Sequence, residues 1–342
     1  MQHRIPFATR LVFSVTTFLI GSMVVASGAI AQRAPEDPTI VFSSSQPEGD
    51  LWLMDPDSAN LRPLIDLRLK ADEQPLGVRW SPDGQRVAFH TKLDGNIDIY
   101  VVNADGEKLK RLTNHEAEDS WPTWHPSGQR LAFTTNRDGN YEIYTLTANG
   151  NVGVNLTNDA APDRQPDWSA DGRMIAFASK RGRTISDVYT MDASGENPLN
   201  LTNHRGDDSY PRWSPNSQKI VWTSRRNGTG DLHTMDANGE NVKNLTPGPR
   251  CNFDPAWSPD GTMLVLSDAP FVEIAVMESD KVVDDVRADG KVLPLGAEWQ
   301  GSRSPDWFDP DFVVPYAVSP GKKRPLTWSW IKQLGTGIYR PE

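Results

Sequence analysis

The chain has 342 residues, with 45 acidic against 35 basic side chains, a formal net charge of −10 and a single cysteine, Cys251. A balance this acidic argues against a nucleic-acid partner, whose phosphates demand a basic footprint. One cysteine excludes an internal disulfide, so packing alone must hold the fold together.

Taken from its first residue, the chain opens with His3, Arg4 and Arg10, then an apolar run from Leu11 to Val25, then small residues ending in Ala29-Ile30-Ala31. Positive start, apolar middle and an A-x-A site form the pattern of a secretory signal peptide, which predicts cleavage before Gln32. The alternative is an uncleaved anchor, because Leu11–Ala31 approaches the roughly 20 residues that span a bilayer. The small residues at the site and the polar Arg33, Pro35, Glu36 and Asp37 beyond it favour cleavage. Cys251 lies far away, so no lipid-bearing cysteine follows the site. No long hydrophobic segment remains after residue 31, and the mature protein is not expected to span a membrane. An exported chain without disulfides fits a bacterial envelope, periplasmic or secreted.

From residue 80 the sequence copies itself. Trp80-Ser81-Pro82-Asp83-Gly84 returns at Trp124, Trp168, Trp213 and Trp257, at spacings of 44, 44, 45 and 44 residues, with a worn sixth copy at Trp307. A period near 44 points to the blades of a propeller. After each Trp motif comes a short apolar run, such as Val87-Ala88-Phe89 or Ile175-Ala176-Phe177, then a polar Gly-containing turn. A second run follows, such as Asp98-Ile99-Tyr100 or Asp187-Val188-Tyr189. These are strands joined as hairpins. Another turn leads to an edge strand ending in Leu-Thr, as at Leu112-Thr113 and Leu201-Thr202. Each repeat thus supplies four antiparallel strands.

The two ends are complementary. Residues 39–66 hold three strands of a blade with no Trp motif before them, whereas the copy at Trp307 has the Trp strand and no continuation. A ring in which the Trp307 strand completes the blade begun at Thr39 would remove the exposed edges of an open array. The expected architecture is therefore all-β: a six-bladed β-propeller over 39–309 with four-stranded blades and a composite N- and C-terminal blade. A C-terminal tail, 310–342, follows. The pattern W-S-P-D-G, D/E-I-Y, N/D-A-x-G and L-T-N resembles the repeats of the TolB-like propeller family over residues 39–309. TolB proteins carry an α/β domain before the propeller, and the few residues between the expected cleavage site and the first strand predict that it is absent here. The resemblance implies an envelope propeller that binds proteins or small ligands.

Several repeated residues read as structural. Each Trp is expected between neighbouring blades. The acids opening the Ile-Tyr strands (Asp50, Asp98, Glu142, Asp187, Asp231, Glu273) are expected to fix their hairpins by pairing with Lys92, Arg137, Arg181 and Arg225. A second acid set is the candidate binding site. Asp119, Asp163 and Asp208 stand five residues before their Trp, with Asn252 and Ser302 in the later repeats and Asp72 displaced in the first. Their loops lead into the innermost strands, so the set is expected round one mouth of the central channel. There it could hold a divalent cation or receive basic side chains of a partner; the alternative is that each Asp caps its own turn.

Catalytic motifs are absent: there is no G-x-S-x-G and no H-E-x-x-H. His90, His115, His125, His204 and His233 mostly fill slots where sister repeats carry other residues. In the tail, Thr327 could cap a short helix with Trp328 and Ile331 on one face. Lys322, Lys323 and Arg324 suggest that the tail folds back on the acidic body, a partner-docking tail being the alternative. The sequence therefore predicts an exported, non-enzymatic propeller acting as a protein- or ligand-binding platform. The rival is a channel-mouth enzyme of the carbohydrate-lyase or hydrolase kind, which a histidine and polar cluster facing the channel would favour.

Overall fold

The computed structural model describes residues 34–44, 50–57, 59–70, 73–269, 273–283, 291–292 and 303–312. The signal-peptide expectation, the tail beyond residue 312, Asp72 and Ser302 lie outside the described residues. Twenty-four strands and two short 3-10 turns make up the regular structure among those residues.

The strands form six separate four-stranded sheets. Blade 2 contains β4 (Leu76–Trp80), β5 (Arg86–Thr91), β6 (Asp98–Asn103) and β7 (Lys110–Arg111). Blade 3 contains β8 (Asp119–Trp124), β9 (Arg130–Thr135), β10 (Glu142–Thr147) and β11 (Val152–Asn155). Blade 4 contains β12 (Asp163–Trp168), β13 (Met174–Ser179), β14 (Asp187–Asp192) and β15 (Leu199–Asn200). Blade 5 contains β16 (Asp208–Trp213), β17 (Lys219–Ser224), β18 (Asp231–Asp236) and β19 (Lys243–Asn244). Blade 6 contains β20 (Cys251–Trp257), β21 (Met263–Ala269), β22 (Glu273–Glu278) and β23 (Lys291–Val292). Blade 1 is the composite one: β24 (Arg303–Phe308) pairs with β1 (Thr39–Ser43), which pairs with β2 (Leu51–Met54), and β3 (Arg62–Ile65) forms the outer edge. Ile40 faces Trp307 and Thr39 faces Phe308 across the seam, as the complementary ends predicted. The first strand of each blade touches that of the next all the way round, so the six innermost strands surround one axis.

The repeat motifs have local physical reasons. In the Trp80 turn, the Ser81 hydroxyl accepts from the Arg86 amide at 2.9 Å and donates to Asp83 at 2.6 Å, and the Asp83 carboxylate accepts from the Gln85 amide at 3.1 Å. Gly84 closes that turn with φ +65°, a left-handed conformation that costs a side-chain-bearing residue energy. Leu-Thr at each outer strand has a similar purpose: Thr113, Thr157, Thr202 and Thr246 accept the amide protons of Ile99, Ile143, Val188 and Leu232 at 2.8–3.0 Å. The buried acid that opens the same strand then accepts from the threonine hydroxyl, at 3.1 Å for Asp98 and 3.4 Å for Asp187. These acids are structural, but their partners differ from the expected ones. Asp98 pairs with Arg111 and Asp187 with Arg183; Arg137 and Arg181 turn toward the channel instead.

Each Trp sits between two blades. Trp124 packs with Ile99 and Leu112 of blade 2 and with Leu131 and Phe133 of blade 3. Trp168 bridges blades 3 and 4 and Trp213 bridges blades 4 and 5 in the same way. Burying a ring of this size contributes about 1.5–3 kcal/mol of transfer free energy per blade contact.

Candidate functional site: the channel mouth where the inner strands begin

The candidate acids take their places from the inner strands. Asp119 and Asp163 open β8 and β12, Asp208 opens β16, and Asn252 is the second residue of β20. Their side chains do not point free charge into the mouth. Asp119, Asp163 and Asp208 are fully buried and Asn252 is 2% exposed. Each carboxylate meets an arginine from the hairpin of its own blade, eighteen residues later: Arg137 at 3.0 Å from Asp119, Arg181 at 2.7 Å from Asp163 and Arg226 at 3.2 Å from Asp208. The guanidinium groups are fixed from the other side by rings, Arg137 over Phe133 and Tyr144, Arg181 over Phe177 and Tyr189, and Arg226 over Trp222. In blade 6 the charge has crossed the ladder. Asn252 pairs in register with Asp268, which meets Arg250 at 3.5 Å. Burial pushes the Asp163 carboxyl up to about 6 even with Arg181 and the Ser179 hydroxyl opposing it. The positive charge beside each of these three acids is therefore an arginine of its own blade.

A feature the sequence reading missed lies two residues further in. Five inner strands run x-Pro-x-Trp, and the ladder breaks register at or beside that x. Trp121, Gln165, Tyr210, Asp254 and Ser304 all have φ between +49° and +56°, and Gly77 takes the place in β4 with φ +58°. A left-handed residue before proline is a strained bulge that re-aims a side chain, a device found beside functional sites. The signal in the sequence was the residue before each proline, which varies from repeat to repeat while the proline and the tryptophan after it do not.

The bulges bring these six residues together. Trp121 and Tyr210 meet edge to face with ring centroids 5.2 Å apart. The Tyr210 amide donates to the Gln165 side-chain oxygen at 3.0 Å, and the Gly77 amide donates to the Ser304 hydroxyl at 3.2 Å. Trp121 lies over Gly77, where an added Cβ would come within 3.1 Å of the indole. Both large rings stay half-buried. One residue nearer the solvent, Arg164 of β12 and Arg303 of β24 stand exposed on opposite blades. The Arg164 guanidinium lies 3.6 Å from the Tyr141 ring centroid. Burial, together with the nearby Asp254 charge, raises the Tyr210 hydroxyl to about 12, against the opposing charges of Arg225 and Arg303.

Below this ring the channel is filled. Arg79, Thr123, Asp167, Arg212, Ala256 and Asp306 precede the six tryptophans. Asp254 accepts from Arg79 at 3.4 Å and from Arg212 at 3.0 Å, and Arg212 also faces Asp167 at 3.8 Å. Asp167 and Asp306 accept the amide protons of Trp213 and Trp80, at 2.8 and 2.7 Å. Burial drives Asp167 up to about 7 and Asp306 to about 6, with the Arg79 charge pulling both back. The opposite mouth has another character: a cavity of about 200 Å³ walled by Trp80, Trp124, Trp168 and Trp307 with Pro82 and Pro126.

The histidines do not assemble into a site at this mouth. His90 is buried beneath Trp121, whose amide donates to Nδ1 at 3.2 Å, and burial lowers it to about 3. His125 bonds Ser127 in a Trp-motif turn, and His233 packs tilted against Trp222 within blade 5. Among the described residues, no group of three or more His, Cys, Asp or Glu side chains could hold a metal ion. No described helix is long and apolar enough to cross a membrane. What the mouth offers is an aromatic floor with guanidinium groups round it, suited to binding.

The family model of the TolB beta propeller domain matches residues 70–186 and 164–293, more than half of the chain. The chain belongs to the TolB-like β-propeller family. Among curated relatives, the Tol-Pal system protein TolB of Syntrophus aciditrophicus (strain SB) is 44% identical over 41 residues, 12% of this chain and 9% of that protein. The Tol-Pal system protein TolB of Anaeromyxobacter dehalogenans (strain 2CP-C) is 37% identical over 83 residues, 24% of this chain and 17% of that protein. The matches thus span less than a fifth of either relative. The crystal structure of TolB from Acinetobacter baumannii superposes with a TM-score of 0.63 at 22% identity, covering 79% of this chain and 66% of that one. That likeness shows the fold alone.

Proposed function

We propose that this TolB-like propeller is an exported, non-enzymatic platform of the bacterial envelope that docks a protein partner at the mouth where its inner strands begin. The observation that carries the reading is the ring of strained bulges, which holds a side-chain-bearing residue left-handed in five of the six blades and presents Trp121 and Tyr210 at one opening. Half-buried aromatics with arginines beside them are the usual anchors of protein interfaces. The sealed waist supports docking rather than passage through the channel. Asp119, Asp163, Asp208 and Asn252 belong to this site as its supports, holding the arginines and the ladder beneath the rim. Cleavage after Ala31 and a periplasmic location complete the reading, and the relatives' name makes another member of the Tol-Pal system a natural partner.

The test is capture from envelope extract by the mature chain, residues 32–342, with crosslinking. Trp121→Ala and Tyr210→Ala proteins that still melt near the wild-type temperature should lose the captured partner. Undiminished capture by both variants would place the docking face elsewhere.

A further inference from the structure

The chain as a whole is acidic, with a net charge of −10, yet part of the face around this mouth carries unmatched positive charge. On blades 4 to 6 four carboxylates are matched by arginines, Asp163 by Arg181, Asp208 by Arg226, Asp268 by Arg250, and Asp159 by Arg181 at 3.4 Å, and the buried Asp231 is held by Asn227, Thr229 and Asn244. Asp207 accepts the Ser186 amide proton at 3.0 Å. Five cations are left over. Arg164, Lys180, Arg205, Arg225 and Arg303 are exposed, and none has a carboxylate within ion-pair distance among the described residues.

Topology puts these five on one end of the propeller. Arg164 and Arg303 sit at the outer lip of the inner strands. Lys180 and Arg225 open hairpins whose amides are bonded to the loops leading into those strands, at 3.1 Å to Pro162 and 2.9 Å to Asp207. Arg205 lies in the loop between blades 4 and 5. Blade 3 differs: its exposed Glu116 and the Glu118 that accepts from Tyr141 at 2.7 Å make that sector acidic. The mouth thus carries a basic arc over blades 4, 5 and 1 and an acidic sector beside it.

We infer that the arc takes an acidic protein segment, one that lays Asp or Glu side chains on Arg164, Arg225 and Arg303 and an apolar side chain on the Trp121–Tyr210 pair. The inference rests on the docking reading above and names the chemistry of its partner. Guanidinium forks match carboxylates bidentately, and potentials of opposite sign steer encounter and exclude basic competitors. The acidic blade 3 sector repels the same segment and so sets its direction across the mouth. An anionic bilayer or a polysaccharide would meet the rim cations only, since the aromatic pair lies one residue deeper.

The test uses the mature chain and fluorescent peptides of one length, acidic, neutral or basic, each with a single Trp. The acidic peptide is expected to bind most tightly and to weaken as salt rises. Combined Arg164→Glu, Arg225→Glu and Arg303→Glu should cost it about tenfold or more and improve binding of the basic peptide; the Gln variants, with less risk to folding, should cost less. Phosphatidylglycerol vesicles and heparin are the comparison probes. Equal affinity for acidic and basic peptides, or tighter binding to vesicles or heparin than to the acidic peptide, would overturn the inference. If the partner captured from extract survives charge reversal but is lost with Trp121→Ala, the docking reading stands and the acidic chemistry falls. If it survives both, the docking reading falls as well.

Discussion

At the scale of single residues, this propeller buries a network of acids and arginines where most domains keep only apolar side chains. Arg79 and Arg212 face Asp167, Asp254 and Asp306 around the axis, and burial raises all three carboxyls. Asp167 rises from 3.8 to about 7, so the folded protein holds that proton more tightly than the unfolded chain does. Its contribution to stability is present below about pH 4 and is lost as pH climbs through 7. His90, lowered to about 3, and His233, lowered to about 4, act in the opposite sense: their contribution is present above pH 6.5 and is lost as pH falls. Asp167→Asn isolates one of these slopes. The variant loses an acceptor to Thr123 or Trp213 and should be less stable than wild type at pH 5. That deficit should shrink by roughly 2–3 kcal/mol by pH 8, since each of the two pH units between 5 and the folded value of about 7 is worth about 1.4 kcal/mol. Denaturant unfolding at the two pH values checks it, and a deficit that does not change with pH would show Asp167 to be ionised throughout.

At the scale of elements, the same turn in different blades meets different neighbours. A Cβ on Gly84 would lie 2.2 Å from Phe308, whereas the only neighbour of a Cβ on Gly128 is Pro82 Cδ at 4.0 Å. Both positions are left-handed, with φ +65° and +67°, so both Ala substitutions carry the backbone cost of about 1 kcal/mol. Gly84→Ala should cost roughly 1–3 kcal/mol more than Gly128→Ala, because Phe308 is packed in the core shared by blades 1 and 2 and cannot simply swing away. Phe308→Leu should recover part of that difference in a double-mutant cycle. Additive losses would mean that the seam has more room than its packing suggests.

For the whole molecule, stability depends on one join. β24 supplies the inner strand of blade 1, and its Trp307 and Phe308 each pack in a different interblade core, with blade 6 and with blade 2. Ending the chain before Ser302 removes both contacts and leaves β1 and the flanks of two blades unpaired. The expected result is a fall in melting temperature together with concentration-dependent aggregation. A truncated protein that melted like the parent would mean that the ring does not need its seam.

The period of the Trp motif, the two-residue alternation of its strands and the half-blades at the two ends were enough, without coordinates, to specify six blades and a composite closure. These are local or arithmetic properties: turn chemistry and hydrophobic alternation act within a few residues, and complementary ends can be counted. The character of the mouth could not be read in this way. Asp119, Asp163 and Asp208 looked like a ring of free charge because their arginines lie eighteen residues away, in the hairpin beyond the next strand. Whether Arg181 pairs with Asp163 or with Asp187 is decided by how the hairpin turns in space. The strained bulge was equally hidden, since an isolated residue before proline prefers an extended backbone. Only the closed ring, with Trp121 packed on Gly77 and Tyr210 on Trp121, holds those residues left-handed. The sequence by itself determined the number and order of the blades; the tertiary structure decided which charges are spent inside the propeller and which remain on its rim.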